Sequence, residues 1–226
     1  MSHGKIFLLV VSALVVLIGV GLFLSGGSIL WANVYMKDDD GFYTTRKVEV
    51  ERDSYAITSE PADIEVESLR VLNWLESIEV RITAEDNQGK EVFVGIAPEK
   101  DLQSYLEGVK HDQVRELDLN HPIGVPEIEY KEFAGTSSPG EPTGADFWTA
   151  STSGSGEQAL RWELEEGTFA TALMNADGSK GVDTTASIGA KVPVASGLGL
   201  WLTIAGLLVV LLAFVSTYFI VSRSRI

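Results

Sequence analysis

The chain contains no cysteine. No disulfide braces it, no thiolate serves as a nucleophile or a soft metal ligand, and no lipid is attached through an N-terminal cysteine. Histidine is almost as scarce, with only His3, His111 and His121, so few bases stand ready to activate a hydroxyl. None of Asn33, Asn73, Asn87, Asn120 and Asn175 has Ser or Thr two places on, which removes any N-glycosylation acceptor. Both absences fit a prokaryotic surface better than a eukaryotic one. Acidic residues are missing before Asp38 and after Asp183.

Those two ends hold long apolar runs instead. Ile6 to Leu24 and Leu198 to Val221 contain no Asp, Glu, Lys, Arg or His, and each reaches the roughly 20 residues that cross a hydrocarbon core. Without intramembrane charge, a pore or proton relay is not expected. Trp31, Tyr35, Trp201 and Tyr218 stand near the run ends, where amphipathic rings favour the headgroup level. Lys5, Arg223 and Arg225 make both tips basic, so the positive-inside rule predicts cytoplasmic termini and an extracytoplasmic middle. The expected organisation is a tip over 1–5, a span over 6–31, a domain over 32–195, a span over 196–222 and a tip over 223–226. A cleaved signal peptide ending near Ser25 is the rival for the first run. Its apolar stretch exceeds the usual signal core, and no clean Ala-x-Ala site follows. Small residues at Gly21 and Ser25, and at Ala195, Gly199 and Thr203, predict close packing between spans or against a partner.

All 32 acidic residues, but only 14 of the 17 basic ones, lie in the middle, giving it a formal charge of −18. Such a surface repels nucleic acid and attracts cations or basic partners. Solubility alone, or a salty medium, explains it equally simply.

Within the middle the dominant period is two. Alternation over 47–51, 63–67 and 77–83 predicts strands with one wet face. Residues 91–96 are almost wholly apolar, predicting a central strand covered on both sides and paired as a hairpin with 77–84. Pro98, Glu99, Asp101, Leu102, Tyr105 and Leu106 predict a short helix that stops at Gly108. Further strands are expected over 111–118, 128–133, 147–152, 159–164, 168–173 and 182–188, with 159–164 and 168–173 forming a hairpin across Glu165-Glu166-Gly167. Residues 136–144 read as an exposed loop, and a split into two lobes near 119–145 is an alternative to one domain. The predicted fold is mainly β, an antiparallel sandwich or open barrel outside the membrane, flanked by two transmembrane helices.

No constellation in the chain carries a reaction. Ser151 to Gly156 lacks the strand–turn–helix setting of a nucleophile elbow and reads as a turn. His111 and His121 match no zinc spacing; one is expected to cap the turn after the helix, the other to sit in a loop. Asp38-Asp39-Asp40-Gly41, and Asn175 and Asp177 with Asp183, offer oxygens to a hard cation, yet Asn and Asp before Gly are also ordinary turn residues. Turns are the preferred reading for both. Carboxylates abound without an apolar pocket to set one apart as a general acid. Trp74, Trp148 and Trp162 suit a sugar-stacking platform, but at strand positions they read first as core. No catalytic, cofactor or metal residue is assigned, and no cofactor is expected.

The stretch Val92-Phe93-Val94-Gly95-Ile96-Ala97-Pro98, with Asp101, Tyr105-Leu106, Gly108-Val109 and His111, resembles a segment of uncharacterised prokaryotic membrane proteins. Met174-Asn175-Ala176-Asp177-Gly178 is similar to the same group. The resemblance implies a bacterial or archaeal origin, a span at each end and a β-rich middle; it implies no activity and no site residue. The expectation is therefore a non-enzymatic binding, scaffold or accessory protein of the prokaryotic envelope. Its partners would be membrane lipid and another membrane or envelope protein, not nucleic acid. An envelope carbohydrate-active hydrolase and a cation or ligand sensor are the alternatives.

Overall fold

A computed structural model describes residues 3–65, 78–118, 127–191 and 195–222. The chain divides into two compact units, Met1–Lys37 with Pro193–Ile226, and Asp38–Val192.

The first unit is a pair of helices, α1 (His3–Tyr35) and, at the far end of the chain, α3 (Ala195–Ser222). Val10–Tyr35 and Gly197–Phe219 are long and apolar enough to span a membrane. Large side chains such as Leu17, Ile18, Leu212 and Phe214 stand exposed around both helices, which suits lipid and not water. Hydroxyls within them bond to their own helix, Ser28 to the Leu24 carbonyl and Thr203 to that of Gly199, as a medium without water demands. The first helix runs to Tyr35, beyond the expected end at 31, since no breaker intervenes and Trp31 packs on Tyr35 one turn later.

Glycines at seven-residue spacing let the two backbones meet. Gly19 on α1 lies against Gly206 on α3, and Gly26 against Gly199. Rising numbers on one helix meet falling numbers on the other, so the pair is antiparallel. Gly199 and Thr203 are in the contact as expected. Gly21 is not: a Cβ there meets nothing within 4 Å. The buried stripe instead runs through Gly19 and Gly26.

The second unit is a sandwich of two open sheets. Its elements are β1 (Tyr43–Thr44), β2 (Val48–Arg52), β3 (Ala56–Thr58), β4 (Ala62–Ile64), β5 (Glu79–Asp86), β6 (Val92–Pro98), α2 (Glu99–Tyr105), β7 (His111–Asp118), β8 (Glu127–Phe133), β9 (Ala150–Gly154), β10 (Gln158–Glu163), β11 (Gly167–Asn175) and β12 (Val182–Lys191). One sheet has the order β1-β12-β5-β10 with β2 also on β12; the other runs β8-β7-β3-β11-β6-β9 with β4 also on β11. Among these strands every pairing is antiparallel except β3 with β7. Strands from both sides of the proline-rich stretch pair directly, β3 with β11 and β5 with β10, so the middle forms one body, not two lobes.

Both predicted hairpins are overturned. β5 and β6 lie in different sheets, as do β10 and β11. The reason is the apolar character of β6. Val92, Val94 and Ile96 face Ile82, Ala84, Leu160 and Trp162 of the opposite sheet. Phe93 and Ala97 face outward, under Leu102 of α2 and Leu106 just after it. A strand buried on both faces is most stable at the middle of a sheet, between β11 and β9. The chain therefore carries β5 across the core to face β6.

Residues 136–144 are largely exposed, as predicted, with Pro142 buried, and the segment is tied down at two points. Trp148 packs on Phe93 with ring centroids 4.9 Å apart and donates its indole N–H to the Pro142 carbonyl at 2.8 Å. The Tyr105 hydroxyl donates to the Gly140 carbonyl, and burial pushes its pKa up to about 12, so it stays a donor. This segment and α2 together roof the outer face of β6.

Candidate functional site

The roof leaves part of the sheet open. Beside α2, the outer face of β3 and β7 forms the floor of a groove of about 470 Å³, a volume suited to a ligand segment. Thr58 and Gln113 are register partners on the floor, and Gln113 donates its amide to the Ser59 carbonyl at 3.4 Å. Leu102, Gln103, Leu106 and Glu107 form one wall, Phe133 and Ala134 the other. Glycine shapes the corner. Gly108 takes φ +71°, and Gly135 sits so close to the 108–110 backbone that a Cβ would come within 2.5 Å of the Lys110 nitrogen. The Gly108 carbonyl accepts from the N–H groups of Thr136 and Ser137, each at 3.0 Å. Gly135→Ala should therefore part these segments and destabilise the chain by about 1–3 kcal/mol. Gly144→Ala, with nothing near its Cβ, should leave the thermal midpoint unchanged, and differential scanning fluorimetry distinguishes the two.

His111 lies at the groove with its ring stacked on Phe133, centroids 4.5 Å apart and planes 6° from parallel. Its Nδ1–H donates to the Val109 carbonyl at 2.9 Å, which leaves Nε2 as the nitrogen open to a ligand. Glu99 and Glu107 also line the groove, and neither meets a Lys or Arg among the described residues. The groove thus combines an apolar wall, neutral hydrogen-bonding groups and two carboxylates.

The other candidates are placed elsewhere. His121 and Trp74 lie outside the described residues. Trp148 sits on the outer face of β6, whereas Trp162 packs against Phe169 between the sheets, so these two form core and no platform. Ser151 to Gly154 belong to β9, paired with β6, not to a turn. Asp177 accepts the Ser179 N–H, and Asp183 accepts from Asn87 and Gln88; both serve their turns. Among the described residues no three His, Cys, Asp or Glu side chains gather as a metal-binding group. Every carboxyl whose pKa is clearly shifted (Asp38, Asp53, Asp112, Asp177 and Asp183) is moved down, the opposite of what a general acid needs.

Asp38 to Asp40 form a strap clamped by arginines. Phe42, fully buried, lies on Gly189, with the guanidinium of Arg81 4.3 Å from its ring centroid and that of Arg161 at 5.5 Å. Asp38 binds Arg81, and Asp40 bridges Arg81 at 3.1 Å and Arg161 at 2.7 Å. Burial raises the Asp38 pKa, but the Arg81 hydrogen bond, the Phe42 N–H and the Thr44 hydroxyl outweigh it and hold it at about 2. The folded value is depressed, so the strap's contribution is present above the unfolded value near 4 and lost as pH falls toward 2. Thermal midpoints should drop over that window in the wild type and drop less in Asp38→Asn, which starts lower at pH 7.

The class of protein these observations define is a two-sheet β-sandwich with an apolar, membrane-length helix at each end of its chain. Comparison with protein-family models, curated proteins and solved structures finds no match to it.

Proposed function

We propose that the chain is a membrane-anchored binding protein of a prokaryotic envelope. Its helices hold both termini on the cytoplasmic side, and its sandwich, outside, grips a basic segment of a partner protein along the α2 groove. The groove carries this reading: it is concave, and its Glu99 and Glu107, which meet no Lys or Arg among the described residues, lie within a domain of formal charge −18. Such a surface favours cationic ligands and speeds their encounter. The basic tips, Lys5, Arg223 and Arg225, support the orientation. The absence of cysteine and of glycosylation acceptors supports the prokaryotic setting.

A photo-crosslinking residue at Gln103 or Gln113, in the full chain in intact cells, tests the groove. A discrete adduct at these positions, absent from a control at exposed Glu163 and abolished by Glu99→Gln/Glu107→Gln, is the expected result. Equal or no labelling at all three positions overturns it. Protease added to the same cells should cut within the sandwich; protection would reverse the orientation.

A further inference from the structure

Three side-chain oxygens are buried between the sheets without a hydrogen-bond partner, and they are the only such oxygens among the described residues: Asp86 Oδ2, Thr184 Oγ1 and Asn175 Oδ1. Asp86 ends β5 and is 6 % exposed; its Oδ1 accepts the N–H groups of Gln88 and Lys90, both at 2.8 Å. Thr184 is 0 % exposed and stands directly opposite Asp86 in the β5–β12 register, which places the two Cβ atoms about 5 Å apart on one face. That face is the inner one, because Ala84, two residues before Asp86, belongs to the core between the sheets.

Asn175 comes from the facing sheet. It is 1 % exposed and stands opposite Val92, a member of the same core, at the start of the strand that follows Asp86's turn. Its amide nitrogen donates to the carbonyls of Ser179 and Gly181 at 3.0 and 3.1 Å, which identifies the remaining atom as the oxygen. Both sheets therefore turn an oxygen inward at the same end of the sandwich, with one carboxylate among them and, among the described residues, no Lys, Arg or His side chain bonded to it. Leaving a carboxylate oxygen buried and unpaired is unfavourable. A site built wholly of oxygens, with low total charge, suits a hard cation, not a transition metal.

We propose that Asp86, Thr184 and Asn175 hold a hard cation, Na⁺ or Ca²⁺, between the two sheets. The proposal is independent of the groove. Its test is thermal unfolding of the full chain in detergent, stripped with chelator and held at constant ionic strength with choline chloride, then titrated with NaCl or with CaCl₂. One of the two cations should raise the midpoint saturably, by roughly 5 °C or more. Thr184→Val, close to isosteric, and Asp86→Asn should abolish the rise, while Asp183→Asn at the exposed neighbour should keep it. The comparison between the two salts identifies the ion. A wild-type midpoint that is the same in choline, sodium and calcium, the result for a site holding only water, overturns the proposal. So does a rise that persists in Thr184→Val.

Discussion

Arg52→Ala should destabilise the sandwich by about 3–5 kcal/mol, because it strands a carboxylate inside the protein. Asp112 is 2 % exposed, and Arg52 grips both of its oxygens, Nε and Nη2 each at 3.0 Å. Arg52 sits on β2 of one sheet and Asp112 on β7 of the other, so the pair bolts the two layers together. The guanidinium also reaches Glu132 at 2.5 Å and lies 4.7 Å from the Tyr130 ring centroid, which fixes its plane. Burial pushes the Asp112 pKa up, but the Arg52 and Ser54 hydrogen bonds outweigh it and hold the carboxyl below its usual range. The pair's contribution is thus present above the unfolded pKa near 4 and fades as pH falls through the folded value. Denaturant unfolding at pH 7 measures the effect. The double variant Arg52→Met/Asp112→Leu should recover most of the loss, since apolar side chains remove the stranded charge. A loss under about 1 kcal/mol in Arg52→Ala would place this pair with ordinary surface ion pairs.

Neither Arg52 nor Asp112 stands out in the sequence, and the reason extends to most of what was missed. Alternation in Lys47 to Glu51 or Ser77 to Thr83 reports which face of a strand is wet, a local property. It says nothing about the neighbour across the ladder. The two predicted hairpins failed on that point: Glu165-Glu166-Gly167 has the residues of a turn, and Gly167 does take a positive φ, yet the chain there steps between sheets. β6, in contrast, was legible as doubly covered, since no single-faced strand tolerates six consecutive buried positions from Val92 to Ala97. α2 was equally legible through Pro98, Glu99 and Asp101.

The groove was not legible. Its floor and walls come from residues 58–61, 99–113 and 133–134, and the parallel pairing of β3 with β7 that unites them is nonlocal. Gly135 was the one local signal, a glycine just past a strand with no turn partner of its own. At the strap, Asp38 to Asp40 before Gly41 read as a turn. Phe42, just beyond them, was the clue that the segment folds back onto something apolar.

The helix pair gives the sharpest contrast between two glycines of similar appearance. A Cβ on Gly26 would press on the Thr203 nitrogen and come within 2.6 Å of the Gly199 carbonyl oxygen, and one on Gly206 would lie 2.6 Å from the Gly19 carbonyl oxygen. These obstacles are backbone atoms, which have no rotamer to swing away. Gly26→Ile should therefore force the helices apart and cost about 3 kcal/mol or more, at the upper end of overpacking penalties. In a bilayer little else holds two apolar helices together, because lipid solvates their side chains as well as a partner does. Gly21→Ile and Gly27→Ile make the same chemical change where nothing lies within 4 Å, and should stay within about 0.5 kcal/mol of wild type. A cysteine-free chain makes the readout clean: one cysteine introduced at Ile29 and another at Gly199, whose Cβ would lie 3.2 Å from that of Ile29, should form an intramolecular disulfide under mild oxidation. Adding Gly26→Ile should suppress that crosslink, and adding Gly21→Ile should not. If Gly26→Ile leaves the crosslink intact, the helices do not pair through these glycines, and the seven-residue spacing on both has some other cause.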